Sequence, residues 1–338
     1  MSVSEQILAS TYQNWAKNGE AQDAIFTGTT GLNWWQKGAR NGSGFKLEDG
    51  GAQIVVNVKY AEMPGGKYYT NEQTIDIAPA DTVRRAIFDW KFFVQPMTLR
   101  KNDLDINAGS NKIFDIGEDS KDTMVNSGRK KIATAMYNDG SDPAAAHGLR
   151  KLVPYDNTTG EIGGIPLATA TYFRNYSTGS TEYDTSSANV FLNILRKASN
   201  TVTRGFLDKR PGVYLTHQSV HEAYEKEILG KMNLNAAVAS NAYTQKMSDL
   251  GMGAVGYRGV PMVWDPYCPE YTVGTHAPMW LLNPEVIWMA VLKSQNFDMS
   301  DFMVPVNQPW LKVMVMFLAH QWVIANPRFC GVIPRLKY

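Results

Sequence analysis

The chain has 338 residues, enough for a substantial hydrophobic core and for one large or two ordinary domains. Its apolar share of 44% excludes disorder as a description of the whole chain. The 33 basic and 32 acidic residues leave a net charge of +1, so the composition carries no electrostatic footprint for nucleic acid or a membrane surface. Charged residues make up only 19%, while 9 Trp and 16 Tyr are present, and this combination indicates large contacts between subunits.

The cysteines and the apolar runs indicate where the protein is made. Cys268 and Cys330 match neither a disulfide framework nor a zinc site, which is typical of reduced thiols in a cytoplasm. The N-terminus has no basic stretch followed by an apolar one, so no signal peptide is predicted. The most apolar run, residues 313–325, is shorter than the ~20 residues that cross a bilayer. We therefore expect a soluble protein made inside the cell.

The first part of the chain predicts an arm followed by a long β-hairpin. Residues 1–45 are rich in glycine and hold little core of their own. Residues 53–60 alternate between apolar and polar side chains, a period of two that indicates a strand. Pro64-Gly65-Gly66 supplies a turn, and residues 67–78 form a second strand-like run. The predicted hairpin presents one apolar face, made of Ile54, Val56, Val58, Tyr60, Ile75 and Ile77.

An isolated two-stranded hairpin is marginal in water, so this face must pack on another surface. We expect that surface to belong to a neighbouring subunit. The aromatic pair Trp34 and Trp35 in the arm is expected to be buried by another chain or by the root of the hairpin. These two residues and the six of the hairpin face are the candidate inter-subunit contacts.

The remaining elements are mixed in type. A capping box at residues 115–118 and an apolar stripe from Ile116 to Met136 predict a long helix, which Gly140 and Pro143 end. Loops over 156–187 precede helices near 188–206 and 219–232, with a short strand at 213–215 between them. Strand-like runs follow at 257–264, 279–282 and 286–292, and residues 311–325 are apolar on both faces, as in a strand buried between layers. Helices and strands do not alternate regularly, so the fold class is α+β.

The candidate chemical motifs do not indicate an enzyme. The glycines of residues 251–256 fit G-x-G-x-x-G, but they lead from a helical region into a strand, the reverse of a dinucleotide fingerprint. His217, His221 and Glu225 could bind a metal from one helix, yet Gln218 stands where a zincin has Glu, and Ser219 as N-cap leaves His217 outside the helix. Two ordinary histidines on a surface helix are the preferred interpretation. Because no nucleophile elbow or carboxylate pair is present, we predict no catalytic, cofactor or metal residues.

The order of these elements carries a resemblance. An arm, a long hairpin, a long helix, a mixed domain and a final buried strand resemble the tailed-phage major capsid protein of the Hong Kong 97 type. Residues 257–266, Tyr-Arg-Gly-Val-Pro-Met-Val-Trp-Asp-Pro, look like a strand of that family's axial (A) domain, and Trp280-Leu-Leu-Asn-Pro284 looks like the strand that follows it. Residues 311–325, followed by Asn326-Pro-Arg328, are similar to the family's closing strand.

The resemblance implies a domain organisation. Residues 1–40 would be the N-arm and 41–82 the extended loop (E-loop). Residues 83–145 would be the peripheral (P) domain with a spine helix at 115–139, residues 146–300 the A domain, and 301–338 the closing strand and C-terminal return. No residue match carries over the cross-link of one family member to Lys46, Lys59 or Lys67, so none is predicted.

The resemblance also implies a function. Copies of the chain would assemble as pentamers and hexamers into an icosahedral shell that encloses double-stranded phage DNA without sequence-specific binding. No cofactor is implied; scaffolding, portal and decoration proteins are possible partners, and the protein would be made in the host cytoplasm and located in the virion. Two alternatives stay open: an encapsulin-like compartment, which would hold a cargo enzyme instead of DNA, and a soluble enzyme that uses a metal at His217 and His221.

Overall fold

The computed structural model describes residues 29–35, 44–63, 68, 70, 80–106, 116–187, 189–205, 210–229 and 256–338. Within these ranges the helices are α1 (Thr30–Asn33), α2 (Lys101–Ile106), α3 (Ile116–Ala135), α4 (Leu149–Leu152), α5 (Val190–Thr203) and α6 (Gln218–Leu229). The strands are β1 (Phe45–Glu48), β2 (Gln53–Lys59), β3 (Val83–Asp89), β4 (Lys91–Arg100), β5 (Glu161–Ile162), β6 (Ile165–Pro166), β7 (Tyr176–Ser177), β8 (Tyr183–Asp184), β9 (Val213–Thr216), β10 (Gly256–Tyr257), β11 (Val260–Trp264), β12 (His276–Leu282), β13 (Ile287–Leu292), β14 (Asp298–Met299), β15 (Leu311–Ile324) and β16 (Gly331–Lys337). None of the helices in these ranges combines the length and the apolar character that a membrane crossing needs.

The first sheet is built around β15. Its strand order is β1-β13-β15-β14, and β4 pairs along the other edge of β15 in an antiparallel register from Lys91 opposite His320 to Arg100 opposite Leu311. Helix α3 covers one face, where Met124 packs with Met97 and Met316. The predicted strand at 311–325 is confirmed, but only residues 318–324 are buried on both faces; residues 311–317 bury alternate side chains at most.

The second sheet has seven strands, in the order β10-β11-β9-β12-β16-β7, with β8 also pairing with β16. Helices α5 and α6 pack on it and touch each other through Phe191 and Tyr224, whose ring centroids lie 5.2 Å apart. A larger core that includes Trp280 of β12 and Trp322 of β15 joins the two sheets. The mixture of helices with largely antiparallel sheets confirms the α+β class.

β2 pairs with β3, from Gln53 opposite Asp89 to Lys59 opposite Val83. Most of the predicted second strand, residues 67–78, lies outside the described residues. Ile75 and Ile77 lie outside the described residues. The pairing with β3 places Ala86 and Phe88 on the same buried face as Ile54 and Val58, since the alternation of β3 matches that of β2.

Helix α3 lies within the range predicted for the spine helix and at ~1.5 Å per residue is about 30 Å long. It ends before Gly140 because the chain returns against its last turn. The amide of Leu149 donates to the carbonyl of Met136 at 2.6 Å, and Gly148 lies directly on the backbone of Asn138. This contact satisfies a terminal carbonyl of the helix and sets its end.

The predicted domain boundary at residue 300 does not follow the sheets. β13 and β14 belong to the first sheet although they fall within the range 146–300, and β16 belongs to the second although it falls within 301–338. The chain crosses between the sheets in both directions, so β12 and β13 lie in different sheets with only Asn283–Val286 between them. A linear boundary therefore cannot separate them.

Candidate interaction surfaces

Trp34 and Trp35 are buried inside their own chain. Their rings make an edge-to-face contact at 5.1 Å between centroids, and Trp35 makes another with Trp322 of β15 at 5.4 Å. Both side chains are almost completely excluded from solvent in the single chain. The expectation that these two residues are inter-subunit contacts is therefore corrected, because α1 and the residues after it pack between the two sheets of the same chain.

A buried carboxylate holds this arm segment in place. Asp265, at the end of β11, accepts hydrogen bonds from the amide of Gly31 at 3.1 Å and from the hydroxyl of Tyr137 at 2.9 Å. It also accepts from the amide of Tyr267 at 3.0 Å. Burial raises the pKa of Asp265 above its usual range, while these three hydrogen bonds act in the opposite direction. Asp265 thus links α1, the chain that follows α3, and the second sheet.

The predicted apolar face of the hairpin is also covered by its own chain. Ile54 and Val58 are buried in the main core and Val56 is half-buried against it. The ring of Tyr60 contacts that of Tyr172 in a tilted arrangement, with ring centroids 5.5 Å apart. The short β5–β6 hairpin lies against this surface, where the carbonyl of Gly163 accepts from the amide of Ile87 at 3.0 Å. For Ile54 and Val58 the inter-subunit expectation is corrected, because residues 161–173 supply the surface that a neighbour was expected to supply.

The surfaces that remain apolar and exposed are elsewhere. On the hairpin they are Val55, Val83 and Ile87, whose side chains point away from the core. On the first sheet the face opposite α3 is uncovered, and there Phe92 is 65% exposed and Val94 is also exposed. The neighbouring side chains of that face, Val313, Val315 and Phe317, are only half-buried. We call this the open face of the first sheet; solvated faces of antiparallel sheets are normally polar.

Sequence reasoning missed the open face. The alternation of β4 places Phe93, Met97 and Leu99 towards α3 and could have identified the strand. Pro96 in the middle of the run argues against a strand unless the strand lies at an edge, and within the described residues β4 pairs with β15 alone. A proline at an edge strand also blocks unwanted pairing.

The two histidines occupy different environments. His217 precedes α6, and its ring nitrogen Nδ1 accepts from the amide of Ser219 at 3.3 Å, so the ring itself caps the helix. His221 lies within α6 and its side chain is buried. The prediction that both histidines lie at the surface is therefore wrong for His221. Burial lowers the pKa of His221 despite Glu225, whose carboxylate lies 3.7 Å away. Within the described residues no group of three possible metal ligands comes together.

A polar depression beside β7 has a volume of about 530 Å³. Its walls include Tyr155, Asp156 and Ser177. The Asp156 carboxylate accepts from the hydroxyl of Thr158 at 2.6 Å, from the amide of Thr158 at 2.9 Å and from the hydroxyl of Thr159 at 2.9 Å. These hydrogen bonds lower the pKa of Asp156 and stabilise the loop. The residues that line the depression include no other Asp or Glu.

Comparison with known proteins gives a clear result for the fold. No protein-family model and no curated protein matches the sequence. Among solved structures, the capsid asymmetric unit of cyanophage A-1(L) is similar over 94% of this chain and 95% of that chain, with 15% identity and a TM-score of 0.62. The capsid of a native GTA particle matches over 94% and 93%, with 12% identity and a TM-score of 0.61.

A third similar structure is the SrpI encapsulin of Synechococcus elongatus PCC 7942. It matches over 94% of this chain and 90% of that chain, with 11% identity and a TM-score of 0.55. In all three comparisons nearly the full length of both chains is superposed, so the likeness concerns the complete architecture and not one common motif. The chain therefore has the Hong Kong 97-type fold, which capsid and encapsulin subunits share.

Proposed function

We propose that this chain is a major capsid protein whose copies assemble, as pentamers and hexamers, into the icosahedral shell of a tailed phage. The observation that carries the proposal is the superposition of nearly the whole chain on capsid subunits that are themselves almost fully covered. The protein would act by self-assembly and not as an enzyme.

The open face of the first sheet supports the proposal that the chain functions as a subunit of an assembly. A monomer seldom exposes a contiguous apolar patch on a sheet face, and such patches mark contacts with other proteins. Phe92 and Val94 are fixed on β4 by ten register pairs with β15, so their exposure is a property of a rigid sheet. Residue-level contacts with a neighbour are thus proposed for Phe92, Val94 and the outer hairpin residue Val55, with Tyr60 and Val56 at the margin.

The domain assignment follows as a proposal. Residues 1–40 form the N-arm, and the E-loop extends beyond the expected 41–82 to residue 89, where β3 ends. The P domain comprises the first sheet with α3, and the A domain comprises the second sheet with α5 and α6. Scaffolding, portal and decoration proteins are the expected partners, and the virion is the expected location after synthesis in the host cytoplasm.

An encapsulin-like compartment is the second candidate, because a solved encapsulin has the same fold over nearly the whole chain. Both candidates predict closed particles when the full chain is expressed alone, visible by negative-stain electron microscopy. Particles isolated from the cells that naturally produce them separate the two. Nuclease-protected double-stranded DNA supports the capsid, and a cargo enzyme without DNA supports the compartment. A chain that stays monomeric at high concentration overturns both.

A further inference from the structure

Three segments that are far apart in the chain form the polar depression beside β7. The loop after α4 supplies Tyr155 and Asp156, the connection from β7 to β8 supplies residues 177–180, and the connection from β11 to β12 supplies Tyr271. The volume of about 530 Å³ lies within the range of small-molecule pockets, about 300–1,000 Å³. The depression is therefore large enough to hold a small ligand.

Hydrogen bonds hold the walls of the depression in a defined shape. The hydroxyl of Ser177 donates to the carbonyl of Tyr155, and its oxygen accepts from the amide of Gly179 at 3.0 Å. The side-chain amide of Asn157 donates to the carbonyl of Asn175 at 2.7 Å. These contacts join the loop after α4 to β7. A preorganised site loses little conformational entropy when a ligand binds.

Asp156 offers the depression a hydrogen-bond acceptor that is fixed in direction. Its Oδ1 accepts from both the amide and the hydroxyl of Thr158, and its Oδ2 accepts from the hydroxyl of Thr159. A carboxylate has about four acceptor positions, so Oδ2 keeps one for a ligand. Because the same hydrogen bonds lower the pKa of Asp156, the carboxylate is ionised at neutral pH.

Tyr271 offers a hydrogen-bond donor and a partly exposed aromatic ring. The guanidinium of Arg335 donates to the hydroxyl oxygen of Tyr271 at 3.0 Å, which leaves the hydroxyl proton to be donated to a ligand. The ring of Tyr155 contacts that of Tyr271, with centroids 5.4 Å apart. Tyr271 is 37% exposed, so the two tyrosines form an aromatic wall that a ligand can reach.

The chemistry of the walls selects the class of ligand. The lining residues include no Lys, Arg or His to pair with a phosphate or a carboxylate, and Asp156 would repel either. A divalent cation would find one carboxylate, which already accepts three hydrogen bonds. An apolar ligand would remove hydroxyl groups and a charge from water without replacing their hydrogen bonds.

A neutral saccharide meets each of these conditions. Its hydroxyl groups both donate and accept, so they can pair with Asp156 and with the hydroxyl of Tyr271. The C–H groups on one side of a sugar ring form an apolar surface that packs on an aromatic side chain. We propose that the depression beside β7 binds a neutral saccharide, with a sugar ring on Tyr271 and a sugar hydroxyl donating to Asp156 Oδ2. This inference goes beyond the proposed function, because it requires no contact between subunits.

Saturation-transfer difference NMR on the folded full chain tests the proposal. The probes are maltose, lactose and N,N′-diacetylchitobiose, each added at millimolar concentration. At least one of them should receive magnetisation from the protein, most strongly at the C–H protons of one ring side, because that side lies on Tyr271. The dependence of the signal on saccharide concentration gives the dissociation constant.

Two variants remove the proposed contacts. Tyr271→Ala removes the ring and the donor. Asp156→Asn keeps an oxygen that can accept from Thr158 but places an N–H where Asp156 has its second acceptor. Each variant is expected to raise the dissociation constant about tenfold or more. If Tyr271→Ala fails to fold, Asp156→Asn alone decides, since it can keep the turn.

Two further variants are matched controls outside the depression. Tyr68→Ala removes a fully exposed tyrosine that is not among the lining residues. Asp184→Asn changes an aspartate in the same kind of turn, where Asp184 accepts from the amide of Ser186 at 2.9 Å and from its hydroxyl at 2.6 Å. Both should bind the saccharide as the wild type does, and circular dichroism should show that each variant is folded.

The outcomes are separate from those of the proposed function, because the measurement does not depend on whether the chain assembles. If none of the three disaccharides receives magnetisation, the proposal is overturned. Equal dissociation constants for Asp156→Asn and wild type would place the binding elsewhere on the chain. If inorganic phosphate displaces the saccharide, the depression is an anion site, and the proposed ligand class is wrong.

Discussion

Gly31 in α1 has no room for a side chain. A Cβ at this position would overlap Asp265 Oδ2 and would lie 2.7 Å from Met136 Cε. The carboxylate cannot move aside without breaking the hydrogen bonds from Tyr137 and Tyr267. The fit of α1 in the core therefore depends on the absence of a side chain at residue 31.

We expect Gly31→Ala to destabilise the subunit by about 1–3 kcal/mol, the usual cost of an overpacked site. Gly128→Ala in α3 is the control. Its new Cβ would overlap only the flexible end of Met316, at 2.5 Å, and would make an ordinary contact with Phe93 at 3.6 Å, while the helix gains up to ~1 kcal/mol from the replacement. Urea unfolding followed by tryptophan fluorescence measures both. Equal effects of the two substitutions would show that the Gly31–Asp265 contact is not tight.

His320 is a titratable group in the most apolar strand of the chain. Its side chain is buried on β15, and neither ring nitrogen has a hydrogen-bond partner among the described residues. Burial lowers the pKa of His320 to about 4. The unfolded chain therefore takes up this proton at higher pH than the folded chain. The stability that the neutral ring provides is complete above pH ~6.5 and is lost as the pH falls from ~6.5 towards 4.

Acidification from pH 7 to pH 4 should accordingly lower the free energy of unfolding through this one group by about 3 kcal/mol. The variant His320→Gln is expected to be less stable at pH 7 but to lose less stability on acidification. Thermal unfolding at several pH values gives the comparison, and parallel curves for His320→Gln and wild type would contradict the assignment.

The roles of single residues were only partly predictable. The sequence shows that Trp34 and Trp35 need burial, but it does not show which surface covers them, because Trp322 lies almost 300 positions away in the chain. Asp265 follows a strand and precedes a proline, as in many surface turns. Only the packing of α1 and α3 against it makes it a buried acceptor.

At the scale of elements, the β2–β3 hairpin derives its stability from its own chain. Phe88 is buried in the main core, whereas its neighbour Ile87 is 42% exposed on the other side of the strand. Phe88→Ala is expected to destabilise the free subunit by about 3–5 kcal/mol through lost burial and a cavity. Ile87→Ala should cost less than about 1 kcal/mol in the same subunit, since surface substitutions have small effects.

Hydrogen exchange gives an independent measure of the same prediction. Amides of residues 53–59 and 83–89 should be protected already in the free subunit, because the face they share is buried before any neighbour binds. Ile87→Ala should then weaken assembly without changing this protection, because it removes only side-chain surface on the outer face of the hairpin. Fast exchange of these amides in the free subunit would mean that the hairpin is ordered only by a neighbour.

Periodicity was sufficient for some elements and not for others. β9 and β15 were predicted nearly to their ends, because buried strands give continuous apolar runs. β3 was not predicted, since Arg84 and Arg85 interrupt its alternation and only Ala86 and Phe88 point inward. Residues 67–78 directly follow the Pro64-Gly65-Gly66 turn and are therefore the predicted second strand, but most of them lie outside the described residues. Local pattern cannot decide which of two strands pairs when both follow the same turn.

At the scale of the whole molecule, the open face and the exposed apolar side chains of residues 302–310 should change environment together. Hydroxyl-radical footprinting is expected to modify Phe92 and Met303 readily in the free subunit and several-fold more slowly in the shell. Met316, which is fully buried on the other face of the same sheet, should be protected in both states. Unchanged reactivity of Phe92 and Met303 after assembly would place the subunit contacts on other surfaces.

Composition predicts extensive subunit contacts but not which surfaces make them. This prediction comes from the low share of charged residues together with the 9 Trp and 16 Tyr. The apolar run from Phe302 to Val306 in a segment with two prolines could have indicated the exposed apolar side chains between β14 and β15.

The pairing of β4 with β15 has a consequence for the synthesis of the protein. Leu311 pairs with Arg100, more than 200 positions earlier in the chain, so the central sheet is a long-range structure of the kind that folds slowly. At about 5–20 residues per second, β4 leaves the ribosome roughly 10 to 40 s before its partner exists. During that interval β4 has no partner strand, so Phe92 and Val94 are not yet part of a folded sheet face. Nascent chains therefore cannot present the open face to one another, and assembly is restricted to subunits whose translation has passed β15.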